Sequence, residues 1–183
     1  MDFALKYQPE MKFYLMDAWP QRLNFKPALK SDDDVTHGAI GNASKELYLG
    51  FQALLTPLRE KYGDRVFVIP TNAALTRLVQ HHLQNPIAEV KGIFQPLNGN
   101  ANSIWRDQRG HLHPTFHPLI GYVYYATLYQ KDPKDLPRLT PTVGAQPSEK
   151  LDQLFRKIAW EVVQNHPLSG VNRSSSALKS KQK

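Results

Sequence analysis

The chain has 183 residues, 41% hydrophobic and 21% charged, the proportions of one ordinary globular domain. It has no cysteine, which excludes disulfides, thiolate zinc sites and cysteine nucleophiles together. The formal charge is +7, but four of those charges (Arg173, Lys179, Lys181 and Lys183) fall in the segment 171–183, which holds no acid. That Ser/Lys-rich tail is expected to be disordered. The charge pattern argues against a nucleic-acid partner, which would need Lys and Arg clustered on one folded face beside stacking aromatics.

The longest apolar runs are V-F-V-I at 66–69 and Y-V-Y-Y-A at 122–126. Both fall far short of the roughly 20 apolar residues of a membrane span. The opening M-D-F-A-L-K-Y-Q-P-E-M-K has charge and proline where a signal peptide needs an apolar stretch. No membrane partner and no export signal are expected in this chain, and its compartment stays open.

In chain order, K-F-Y-L-M-D-A-W-P (12–20) is apolar and stopped by Pro20, which predicts a buried strand with Asp17 and Trp19 at its C-terminal end. Residues 21–43 show no periodicity and read as a long loop containing Asp32, Asp33, Asp34 and His37. Ser44 is placed to cap a helix whose face repeats at Leu47, Leu54, Leu55 and Leu58, flawed by Pro57 and closed by Gly63. R-V-F-V-I-P (65–70) predicts a fully buried strand. A helix over 73–83 follows, capped by Thr71 or Asn72. Residues 84–116 are loop-rich, and two more helices are expected, from about Pro118 to Gln130 and from Ser148 to Asn165. Apolar strands alternating with helices predict an α/β domain with a parallel sheet. Two strands are too few for such a sheet, so strands are missing from this reading or from the chain.

The chemistry-bearing stretch is W-R-D-Q-R-G-H-L-H-P-T-F-H-P (105–118), with Asp107, His111, His113 and His117. Imidazoles bind zinc, and His-x-His puts two rings on one side of an extended segment, but the spacing matches no metal motif. Alternatively, Asp107 orients one histidine as an acid–base pair, fixing its tautomer and stabilising the imidazolium. A polar loop is the third reading. The acidic triplet 32–34 lacks the ligand spacing of a calcium loop and reads as a solvated face. Trp19 and Trp160 read as core, whereas Trp105 is a candidate pocket wall.

Asp107 and His111 in R-D-Q-R-G-H-L-H-P, followed by H-P-L-I-G-Y-V-Y-Y-A-T-L-Y-Q-K-D-P, resemble the last block of the SGNH (GDSL-like) hydrolase family. That block is an Asp-x-x-His, a glycine and a Tyr/Ala-rich helix, here with Gly121, Tyr122, Ala126, Tyr129 and Pro133. K-F-Y-L-M-D-A-W-P resembles the family's central strand, and R-V-F-V-I-P-T-N-A-A-L the strand and helix before the catalytic loop. The resemblance covers residues 4–170, as the C-terminal part of the family's domain. It implies a flavodoxin-like three-layer α/β/α sandwich, incomplete at the N-terminus. It also implies ester hydrolysis by a serine with a histidine base and an orienting aspartate, with no cofactor and no metal. Carried over, Asp107 orients and His111 or His113 is the base. The substrate is a small-molecule ester or an acylated carbohydrate.

The chain departs from the family in three ways. It has no Gly-Asp-Ser block, no Gly-x-Asn-Asp block, and four residues rather than three from Asp107 to His111. The expectation is an ester hydrolase domain incomplete or inactive alone, its nucleophile supplied by a missing N-terminal segment. The alternative is a non-catalytic ligand- or carbohydrate-binding module on the same fold.

Overall fold

A computed structural model describes residues 1–141 and 143–171. Among them the chain forms a mixed α/β arrangement of six α-helices and four short strands. The helices are α1 (Asp2–Tyr7), α2 (His37–Tyr62), α3 (Thr71–Gln84), α4 (Gln95–Asn98), α5 (His117–Tyr129) and α6 (Glu149–Asn165). The strands are β1 (Phe13–Met16), β2 (Val66–Ile69), β3 (Gly92–Phe94) and β4 (Ser103–Trp105).

The strands form two separate two-stranded parallel sheets, β1 with β2 and β3 with β4. β2 is the buried member of its pair, with Val66, Val68 and Ile69 almost inaccessible. Its far edge is covered, because the Val68 N–H donates to the Leu168 carbonyl at 2.8 Å. β1 is different. Its register pairs Phe13 with Val66 and Met16 with Ile69, and the Asp17 N–H donates to the Ile69 carbonyl. By the alternation of a strand, the Tyr14 and Met16 amides then face away from β2. Neither amide bonds to any group among the described residues. Met16 is also exposed.

The sequence places β1, β2, α3, α5 and α6 to within a few residues. The long helix starts earlier than expected. Thr36, not Ser44, is its cap, its hydroxyl accepting the Ala39 N–H, so seven residues read as loop (37–43) are helical. Gly63 ends the helix at φ 58° and ψ −137°, a conformation open to glycine and costly for any residue with a Cβ. Pro57 is accommodated inside the helix. β3 and β4 are the missed strands. Each is three residues long, too short to show a period in the sequence.

The principal core lies where α3, α5 and α6 meet, around Leu75, Leu78, Leu119, Tyr122, Val123, Phe155 and Ile158. Trp105 belongs to this core rather than to a pocket wall. It is fully buried and stacked on Phe94, with ring centroids 4.7 Å apart and planes at 12°. Trp160 is partly buried against the same core. A buried ion pair within α6 is joined to α5 through Tyr122. Asp152 accepts from Arg156 Nε at 2.7 Å and from the Tyr122 hydroxyl at 2.6 Å. Arg156 in turn donates to the carbonyls of Pro133, Lys134 and Leu136 and lies over the Tyr122 ring.

The acidic triplet is not simply solvated. Asp32 receives the Ile93 and Phe94 N–H groups at 2.6 and 2.9 Å and also the Asn98 side-chain amide, tying the first loop to β3. Asp34 receives the Lys30 and Ser31 N–H groups and holds a tight turn. Both are carboxylates used as backbone caps, a role their adjacency hides. No helix among the described residues is long and apolar enough to cross a membrane. Within the basic tail, Val171 is buried, and 172–183 lie outside the described residues.

Candidate functional site

The stretch read as a loop is a hairpin built on β4. After Trp105 the chain turns at Asp107–Gly110 and comes back, with Trp105 bridged to Leu112 in antiparallel sense. The Arg106 N–H donates to the His111 carbonyl at 2.8 Å, and the His113 N–H to the Ile104 carbonyl at 2.9 Å. Leu112 therefore points into the core, and His111 and His113 point to the opposite side.

Asp107 organises the turn and holds a histidine at once. Its Oδ1 accepts the N–H groups of Arg109 and His111 at 2.9 and 3.2 Å. Its Oδ2 lies 2.6 Å from His111 Nδ1. With the proton on Nδ1, the His111 Nε2 has a lone pair available to take a proton. Partial desolvation works against ionisation of Asp107. The bonds from the His111 ring and from the two N–H groups outweigh it and hold the carboxyl below its usual range. Both groups are reachable from water, with 58% of the His111 side chain and 36% of the Asp107 side chain exposed.

His113 has a different job. Its Nδ1 sits 3.1 Å from the Thr115 hydroxyl and receives the Thr115 N–H, capping the short turn before α5. It packs edge-on against Phe116. Burial, with His117 and Arg106 nearby, lowers its pKa. His117 begins α5 and is exposed. Of the three histidines, the structure brings only His111 to Asp107. Among the described residues no three His, Asp or Glu side chains converge in a way that would hold a metal ion.

The hairpin is docked on the segment that leaves β1. Trp19 Nε1 donates to the Gly110 carbonyl at 2.7 Å. Gly110 is buried at φ 81°, and a Cβ built on it would stand 2.8 Å from Gln21 Cγ. Position 110 therefore requires glycine twice, for its backbone conformation and for the space. Gly110→Ala is expected to destabilise the protein by about 1–3 kcal/mol. Urea denaturation checks this, with the unfolding slope unchanged.

At the same end of β1 and β2 lies a buried polar cluster that sequence reading missed. Asp17 is almost inaccessible and accepts the Asn72 N–H at 2.8 Å and the Thr71 hydroxyl at 3.2 Å. Thr71 also bonds to the Asp17 carbonyl. Asn72 passes the network on to Ser44 and Thr76. Burial pushes the Asp17 carboxyl up to about 6, against the pull of these bonds. The signal was present in the sequence, since Thr71 and Asn72 follow a buried strand next to the one carrying Asp17. They read as helix caps and were not connected to it.

Each of the five described serines is engaged elsewhere. Ser31 caps a turn with Asp34. Ser44 bonds to Asn72, Ser103 to Asn98, Ser148 to Glu89 and Ser169 to the Val163 carbonyl. Among the described residues, no hydroxyl is hydrogen-bonded to His111.

No protein family, no curated protein and no solved structure matches this chain.

Proposed function

We propose that the chain is an SGNH-like ester hydrolase domain that supplies the acid–base half of the site. Asp107 orients the imidazole, His111 is the base, and a serine outside the described residues is the nucleophile. The Asp107–His111 pair carries the reading: a carboxylate 2.6 Å from Nδ1 leaves Nε2 as the reactive nitrogen. The pair stands beside the C-terminal end of β1, tied there by Trp19, and ligands gather at that end of parallel strands.

The edge of β1, unpaired among the described residues, supports the further expectation that a strand, and with it a nucleophile, belongs beside Tyr14 and Met16. Parallel sheets normally have more than two strands, with both faces covered. A flavodoxin-like three-layer α/β/α sandwich is then the architecture that such a strand would complete. The exposure of His111 fits the same reading. A covering segment would take the pair out of water, where the charges developing in a transition state are stabilised most strongly. The substrate class is a small-molecule ester, an acylated carbohydrate among them.

Hydrolysis of a short-chain aryl ester tests this, comparing the protein with His111→Ala and His113→Ala. Slow turnover is expected, with His111 acting as general base on water where no serine is in place. It should be lost in His111→Ala and retained in His113→Ala. Turnover that ignores His111 would sink the assignment. A second reading, a binding module without turnover, rests on the engagement of all five described serines elsewhere. It predicts no ester hydrolysis from a cooperatively folded protein.

A further inference from the structure

A cavity of about 550 Å³ lies between the end of α3 and the start of α6, remote in sequence from the hairpin of the Asp107–His111 pair. It falls within the size range of small-molecule sites, roughly 300–1,000 Å³. Its apolar wall is made by Ile87, Leu151 and Leu154. The carboxylate on its wall, Glu89, is already committed. One oxygen accepts the Ser148 N–H at 2.8 Å and the other the Ser148 hydroxyl. The polar groups left at the rim are the Lys150 ammonium, the His81 imidazole and the Asn85 amide. No side-chain hydrogen bond or ion pair occupies any of the three among the described residues. Lys150 offers only N–H donors and carries a positive charge, while the Asn85 amide and the His81 imidazole each offer a donor beside an acceptor. An apolar floor with a fixed positive charge and further N–H donors at one end fits a ligand with a hydrocarbon body and an anionic head.

We infer that this cavity binds amphipathic monocarboxylates, with the chain on Leu151 and Leu154 and the carboxylate at Lys150. The site is separate from the proposed catalytic pair and stands or falls independently of it.

The test is titration of the protein with decanoate, decylammonium and acetate, read by calorimetry and by amide chemical shifts. Decanoate should bind at one site and shift the amides of Ala88 and Leu151. Decylammonium should bind at least about tenfold more weakly, the cost of reversing one close charge pair. Acetate should not bind, because the apolar wall supplies most of the affinity. Leu154→Trp fills the cavity from a partly exposed position and should abolish decanoate binding. Lys150→Glu reverses the rim charge on an exposed side chain in the first turn of α6, where an acidic residue suits the helix and folding should be unaffected. It should weaken decanoate about tenfold and erase the preference over decylammonium. Equal affinity for the two ten-carbon ligands, or decanoate binding that survives Lys150→Glu unchanged, would overturn the proposal even if Leu154→Trp failed to fold.

Discussion

Asp152→Ala should destabilise the protein by about 3–5 kcal/mol, the largest effect expected of any single substitution outside the apolar core. The carboxylate is 2% exposed, and the guanidinium it faces is 9% exposed. Removing it leaves a charged Arg156 held among three carbonyls and an aromatic ring, with no counter-charge and little water. The Tyr122 hydroxyl loses its acceptor in the same step, while it still accepts the Leu139 N–H. The pair also fastens α6 to the Pro133–Leu136 turn, so the loss is of position as well as of charge. A double substitution that removes both charges, Asp152→Leu with Arg156→Met, should cost less than Asp152→Ala alone. The unpaired charge is the expensive species, not the missing pair. Chemical denaturation of the three proteins decides this. An Asp152→Ala that loses under 1 kcal/mol would mean that Arg156 finds water after all.

Between pH 4 and 6 two buried groups pull the stability of the protein in opposite directions. Burial raises Asp17 to about 6 from an ordinary value of 3.8. Its contribution is complete below pH 3.8 and is lost as pH rises through 6. The unfolded chain releases the proton over that interval and the folded one keeps it. Burial lowers His166 from 6.5 to about 4. Its contribution is complete above pH 6.5 and is lost as pH falls through 4, because the unfolded chain then gains a proton that the folded one refuses. Each shift corresponds to about 3 kcal/mol over its window. Asp17→Asn should therefore unmask a rise in stability from pH 4 to 6.5. His166→Asn, which keeps an acceptor for the Leu168 N–H, should unmask a fall from pH 4 to 6. Denaturation midpoints at half-unit pH intervals separate the two slopes. Parallel curves for the variants would show that neither group is as dry as its surroundings imply.

What the sequence revealed depended on how each residue carries its information. The apolar runs 66–69 and 12–20 and the leucine-rich helices were legible because burial writes a period into the chain. β3 and β4 were not, because a strand of three residues has no period and is held by partners far away in sequence. Asp32 belongs with them, since its role is set by N–H groups at Ile93 and Phe94. The Asp107–His111 contact was legible in part. Nearness in sequence made a pair conceivable, but choosing His111 over His113 needed the hairpin, which puts one ring against Asp107 and the other against Thr115. Trp105 was misjudged because a polar neighbourhood in sequence became a buried stack in space.

The bond from Trp19 to the Gly110 carbonyl joins residues 91 positions apart. The loop it closes contains α2, β2, α3 and both strands of the second sheet. Such a contact adds to the contact order of the chain and carries a closure entropy that nearer contacts repay first. The hairpin can fold early as a local unit, but its placement against β1 comes late. The same contact is a single hydrogen bond on a partly exposed ring, so it is also among the first to open. The Asp107–His111 pair is thus built within the hairpin and held in place by a latch, and undocking would swing the His111 imidazole away from β1 while leaving the core of α3, α5 and α6 intact.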